Sequence, residues 1–165
     1  MAKDLGVFAC YQCKKCSVGC VFQKFMDKKP HEIIRLIQLG KEDEAVKSIT
    51  PWLCASCETC VTRCPNDIDI PRVMDDLKRK ALEKGVDIKE KRIYQFYSSM
   101  LNSIKSRGRV YELGMIVSYK LKSGDLFTDA KEGLKMFLKG KISILPESVK
   151  DKSSLKKLFK EAKGA

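Results

Sequence analysis

The chain has 165 residues, 44% of them hydrophobic and 33% charged, enough for one domain or for a small domain with an extension. It is basic, with 33 Lys and Arg against 21 Asp and Glu and a formal charge of +12. No secretory pattern opens it, and no stretch approaches the roughly 20 apolar residues of a membrane span, so a soluble cytoplasmic protein is expected.

Eight cysteines in that reducing compartment do not read as a disulfide framework. If all became metal-bound thiolates around two cluster cores, the charge would fall by about four and remain positive. The lysine-rich composition fits a solvated surface or an acidic protein partner. No nucleic-acid motif accompanies it.

The first feature in chain order is CYQCKKCSVGC, residues 10–20, with thiols at Cys10, Cys13, Cys16 and Cys20. The following KKPHEIIRLIQLG reads as a helix. Pro30 stands near its start, Ile33, Ile34, Leu36 and Ile37 form its apolar face, and Gly40 stands at its end. Its single histidine, His31, is expected at a surface or capping position rather than as a ligand. KEDEAVKSIT is a second short helix, closed before Pro51.

The cysteine spacing then returns 44 residues later as CASCETCVTRCP, with Cys54, Cys57, Cys60 and Cys64 followed by Pro65. Asp69 and Pro71 open another helix, with Ile70, Val73, Met74, Leu77, Ala81 and Leu82 at helical spacing and Gly85 closing it. Beyond it the chain holds no cysteine. Residues 1–85 are therefore read as a two-cluster domain, and residues 86–165 as a basic helical extension for packing and partner docking.

In that extension Ile93, Phe96, Tyr97, Met100, Leu101 and Ile104 share one helix face. RVYELGMIVSYKLKSG and DAKEGLKMFLKG are less regular helices. The tail DKSSLKKLFKEAKGA puts Leu155, Leu158 and Phe159 on one side. Core packing is the ordinary reading of the first three stripes. The tail reads as a docking helix or a frayed end. The ligand-free segment also carries Lys135, Lys139, Lys141, Lys156, Lys157 and Lys160. No alternating run or Asn-Gly hairpin signal marks a strand.

Zinc sites commonly pair two C-x2-C units across a longer loop and grip one ion. Here three thiols follow without interval, then a fourth after a wider gap, which is the C-x2-C-x2-C-x3-C signature of [4Fe–4S] ligation. In two-cluster ferredoxins the fourth cysteine serves the other cluster. On that pattern Cys10, Cys13, Cys16 and Cys64 hold one cluster, and Cys54, Cys57, Cys60 and Cys20 hold the second. Spacing alone leaves open that each run serves its own cluster. Val21 stands where Pro65 follows the second run, so a local change of path is expected there. Phe8, Val21, Phe22, Trp52, Leu53 and Ile68 flank the thiols, either as water shields or as ordinary core. Lys14, Lys15 and Arg63 lie within the runs, as solvated charges or as groups that raise the potential of the reduced state.

The motifs CYQCKKCSVGC, EIIRLIQLG, WLCASCETCVTRCP with DIDIPRVM, SRGRVYELGMIVSYKL and GLKMFLKGKISILP together resemble the small two-cluster, C-type subunit of heterodisulfide reductase. The cysteine runs alone are shared with other α-helical ferredoxins, including iron–sulfur subunits of succinate dehydrogenase type enzymes. The extension makes the resemblance more specific. It implies an all-α, α-helical ferredoxin fold with two [4Fe–4S] clusters and a helical C-terminal extension. It also implies a non-catalytic electron-transfer role between two partners, a flavin/iron–sulfur subunit on one side and a cysteine-rich catalytic subunit on the other. Rival readings are an iron–sulfur subunit of another, quinone-linked oxidoreductase, or a free ferredoxin. No Gly-rich dinucleotide fingerprint, P-loop or H-E-x-x-H is present.

Overall fold

The computed structural model describes residues 5–88, 90–124, 135–136, 138–139 and 146–161. Every regular element among them is helical. The chain divides into two compact units, Met1–Lys91 and Arg92–Ala165.

The first unit begins with a 3-10 turn, Val7–Ala9, and then alternates short and long helices. These are α1 (Lys15–Val18), α2 (Pro30–Gln38), α3 (Glu42–Val46), α4 (Thr50–Leu53), α5 (Thr59–Thr62) and α6 (Ile70–Glu83). Pro30 occupies the first position of α2, where its missing N–H costs nothing. The Glu32 carboxylate accepts the Lys29 backbone N–H at 2.6 Å and caps the same end. Gly40, at φ 73°, takes the left-handed residue that ends this segment. Helix α6 starts where the Asp69 side chain accepts the Arg72 N–H at 3.1 Å. Pro51 does more than end the preceding segment, because it sits in the first turn of α4.

The apolar faces of α2 and α6 meet α3, α4 and the 3-10 turn around one core. Val7, Ile33, Ile34, Val46, Ile68, Val73, Met74 and Leu77 are each at most 3% exposed. Each such side chain contributes about 1.5–3 kcal/mol by leaving water. Leu36 is only half-buried. Leu82, placed by helical spacing on the α6 core face, is 52% exposed, because the buried face of α6, through Ile70, Val73, Met74, Leu77 and Ala81, ends before it. His31 corrects a second expectation, since it lies buried at 9% exposure rather than at the surface. On the outer side Lys80 pairs with Asp76 at 2.9 Å and with Glu42, and Lys84 pairs with Asp43 at 2.6 Å, joining α6 to α3.

The second unit contains α7 (Lys91–Arg107), α8 (Glu112–Ser123) and α9 (Lys152–Glu161). Phe96 of α7 meets Tyr119 of α8 edge-on, with ring centroids 5.7 Å apart. The chain turns between the two helices at Gly108, φ 77°, where a Cβ would strike Val149. Ser103 Oγ accepts the Tyr111 N–H at 2.8 Å. The buried positions of α7 are Ser99 and Ser103, not its apolar stripe. Phe96 stays 40% exposed and Leu101 52%. Ile93, Tyr97, Met100 and Ile104 of the stripe are half-buried. In α9, Leu155 and Phe159 are half-buried and Leu158 is exposed. The expected helix DAKEGLKMFLKG lies mostly outside the described residues, as does Lys141. No helix among the described residues is long and apolar enough to cross a membrane.

Candidate metal centre

The two cysteine runs fold into the same local structure. Cys10 follows the 3-10 turn with φ −69° and ψ 116°, and Cys54 follows α4 with φ −67° and ψ 117°. Two residues on, Gln12 and Ser56 are left-handed (φ 62° and 51°). Two further on, Lys14 and Glu58 are left-handed again (φ 65° and 59°) and cap α1 and α5. Cys16 and Cys60 each take the second position of the short helix, and Cys20 and Cys64 lie just past its end.

The hydrogen bonds repeat as well. Lys14 C=O accepts from Ser17 and Val18 N–H at 3.0 and 3.1 Å, and Glu58 C=O accepts from Val61 and Thr62 N–H at 2.9 and 3.2 Å. Cys20 C=O accepts from Gln23 N–H at 3.3 Å, and Cys64 C=O accepts from Asp67 N–H at 3.3 Å. Val21 therefore permits the same closing turn as Pro65. The paths part at the third residue, where Asp67 is left-handed (φ 48°) and Gln23 is not.

A left-handed residue other than glycine costs about 1–2 kcal/mol. Among the described residues five adopt it, and four of these lie in the two runs at matched positions. Strain placed so regularly marks a site where backbone is bent around something.

Helices α1 and α5 pack against each other and bring the runs together. A cleft of about 440 Å³ between them is lined by Cys16, Cys20, Cys54, Cys57 and Cys60, with Phe22, Met26 and Met74 as apolar wall. Beyond the second run, the Asn66 amide donates to the Ala9 carbonyl, next to Cys10. Gln38 of α2 donates to the Val7 and Cys10 carbonyls at 3.1 and 2.8 Å and holds the first run from behind. Asp27 ties the exit of the first run to α4. It accepts from Ser48 Oγ at 2.5 Å, Thr50 Oγ1 at 3.1 Å and Ile49 N–H at 3.2 Å.

In each run the second cysteine, Cys13 or Cys57, is exposed, while Cys16 is buried and the others are half-buried. Burial pushes the Cys16 and Cys54 thiols up. The Cys60 thiol is pushed up to about 12, by burial first and by neighbouring Cys54 next. A hydrogen bond with Thr59 Oγ1, 3.5 Å away, pulls Cys57 down. Thiols so buried become ligands only when a cation replaces their protons.

The donor set fits an iron–sulfur group better than a single ion. Sulfurs around one zinc, about 2.3 Å from it, would lie roughly 4 Å from one another. Among the described residues no three Cys, His, Asp or Glu side chains converge on one ion position. Thiols spread along the walls of a cleft suit a larger cluster. Of the expected shields, Trp52 and Ile68 are buried and Phe22 and Leu53 half-buried. Phe8 and Val21 are 56% and 74% exposed, and so face water. Lys14, Lys15 and Arg63 are exposed as residues, and the Arg63 side chain lies over Gly19, beside Cys20. Ser17, Gln38 and Asn66 escape sequence reading, since nothing but proximity to the cysteines distinguishes them.

An all-helical fold with doubled four-cysteine runs around a thiol-lined cleft defines an iron–sulfur protein of the electron-transfer class. Residues 9–69, which include all eight cysteines, match the model of the 4Fe-4S dicluster domain. The C-type iron-sulfur subunit of CoB–CoM heterodisulfide reductase from Methanopyrus kandleri is 34% identical over 93 residues, covering 56% of this chain and 48% of that protein. The second C-type iron-sulfur subunit from Methanocaldococcus jannaschii is 34% identical over 77 residues, 47% of this chain and 41% of that protein. The chain thus spans less than half the length of these two relatives. The C-type subunit of the ferredoxin/F(420)H(2)-dependent CoB-CoM heterodisulfide reductase from Methanosarcina acetivorans is 30% identical over 147 residues, 84% of this chain and 87% of that protein. The chain belongs to this family, the C-type iron–sulfur subunits of heterodisulfide reductase.

Proposed function

We propose that the chain holds two [4Fe–4S] clusters with exchanged fourth ligands. In this reading Cys10, Cys13, Cys16 and Cys64 serve one cluster, and Cys54, Cys57, Cys60 and Cys20 the other. Bound there, the clusters supply one-electron oxidation and reduction. The observation that carries the exchange is that Cys20 lines the same cleft as Cys54, Cys57 and Cys60, while Cys10, Cys13 and Cys64 do not; Cys16 also reaches this cleft, from the first run. The reach of Asn66 back to Ala9 supports its counterpart, because it draws the chain after Cys64 toward Cys10. The left-handed residues bend both loops in the same way, and Phe22, Met26 and Met74 stand beside the thiols as an apolar wall of the cleft.

The exchange is tested by comparing spectra of reduced variants. Cys20→Ser should alter the same electron paramagnetic resonance signal as Cys57→Ser, and Cys64→Ser the same signal as Cys13→Ser. If Cys20→Ser pairs with Cys13→Ser instead, each run serves its own cluster.

The role that follows is a relay of single electrons within a heterodisulfide reductase-like complex. It would run between a partner that carries flavin and further iron–sulfur clusters and a cysteine-rich catalytic partner. The named relatives support it, since each is the C-type subunit of such a reductase. The basic extension, residues 86–165, would dock those partners. Truncation after Gly85 should keep the clusters and abolish co-purification of the complex. A truncated chain that still assembles would remove the docking role.

A further inference from the structure

We propose that Ser17 donates a hydrogen bond to the Cys16 ligand sulfur, is oriented for this by His31, and thereby separates the reduction potential of one cluster from the other. The inference rests on the ligand reading above.

Ser17 and His31 form a buried polar pair, 2% and 9% exposed. Ser17 Oγ lies 2.7 Å from His31 Nδ1. It accepts the His31 backbone N–H at 3.1 Å. Cys16 Sγ is 3.9 Å away, at the outer limit for a hydrogen bond to sulfur.

A hydroxyl has one hydrogen and two lone pairs. The His31 backbone N–H occupies one lone pair. The imidazole and the sulfur share what is left. A thiolate bound to metal has no proton to give and can only accept. The hydroxyl hydrogen then goes to sulfur, and the second lone pair accepts a proton held on His31 Nδ1. All three valences of the hydroxyl are used, and His31 is fixed as its Nδ1–H tautomer. The opposite arrangement, with the hydroxyl turned to a bare Nδ1, leaves the sulfur without this donor.

A hydrogen bond to a ligand sulfur favours the reduced cluster, whose charge is more negative, and raises its potential. The second run has no equivalent. Val61 stands at the matching position of α5, and its side chain cannot donate to Cys60. Its hydroxyl contact, Thr59 with Cys57, is exposed, where water competes. Ser17 is a positioning residue in this account and takes no part in any bond-making step. A purely structural pair, tying α1 to α2, would stabilise the fold but leave the potential alone.

The test is a redox titration of the anaerobic full-length holoprotein, wild type against Ser17→Ala, followed by electron paramagnetic resonance. One midpoint should move to lower potential, raising the oxidised-to-reduced ratio at a fixed potential about threefold or more. The other midpoint should stay. Two unchanged midpoints, or equal shifts of both, would overturn the proposal. If the variant loses its clusters, the wild type still decides. His31 is the single histidine of the chain, so 15N-histidine NMR of the oxidised holoprotein reads its tautomer directly. A proton on Nδ1 is expected, and a proton on Nε2 alone contradicts the donor role. A wild type with only one cluster signal would sink the two-cluster reading first, and this inference with it.

Discussion

The two cysteine runs share a backbone but differ at every position between the ligands. Gln12, Lys14, Lys15, Ser17 and Gly19 of the first stand opposite Ser56, Glu58, Thr59, Val61 and Arg63 of the second. Dihedrals, helix starts and turn closures nevertheless agree. The thiol spacing and the demand to wrap a bound group therefore dictate the path, while the intervening residues set the environment. Two equal cradles with unequal linings are a way to obtain two one-electron sites of different potential from one folding unit.

The exit from each run is the least equivalent part, and it carries the largest expected change in stability. After the first run Asp27 gathers the hydroxyls of Ser48 and Thr50 and the N–H groups of Lys28 and Ile49. The matching position after the second run is Pro71, which offers no acceptor side chain. Asp27→Ala should destabilise the holoprotein by about 1–2 kcal/mol, read from its thermal midpoint.

The same carboxylate gives a pH dependence. Burial alone would push Asp27 up, but the hydrogen bonds from Ser48, Thr50, Ile49 and Lys28 outweigh it and hold the group below the usual carboxylate range. Its folded pKa is lower than its unfolded one. Its stabilisation is therefore complete above the unfolded value of about 3.9 and fades as pH falls through the folded value. Asp27→Asn should remove that part of the acid lability. An unchanged acid profile would show that Asp27 does not anchor this exit.

A smaller effect tests whether the cradles are equivalent. Lys14 and Glu58 hold the same left-handed conformation. A β-branched residue there is strained further, so Lys14→Val and Glu58→Val should each cost about 1 kcal/mol or more, and by similar amounts. A loss at one site only would break the equivalence of the loops.

Much of this was legible in the sequence. The eight cysteines and their spacing announced the metal centre, and Pro30, Gly40, Asp69 and Gly85 marked helix ends where the structure has them. The left-handed residues were not legible, because their usual signal is glycine and these positions hold Gln, Lys, Ser and Glu. The conformation there comes from the loop, not from residue preference. A histidine after a helix-opening proline looks solvent-facing, whereas His31 is buried. Its burial depends on Ser17, 14 residues away, which sequence reading cannot pair with it. The stripe on α7 is a different case. Helical spacing identifies the apolar face, but it does not show how deeply that face is covered: its residues are half-buried or exposed, and the fully buried positions are Ser99 and Ser103.

The measurement that bears most directly on the central claim is iron and sulfide analysis of the anaerobically purified protein, combined with electron paramagnetic resonance after dithionite reduction. About eight irons and eight sulfides per chain are expected, with the magnetic interaction of two neighbouring reduced clusters. About four irons and one isolated signal, or zinc in place of iron, would contradict it.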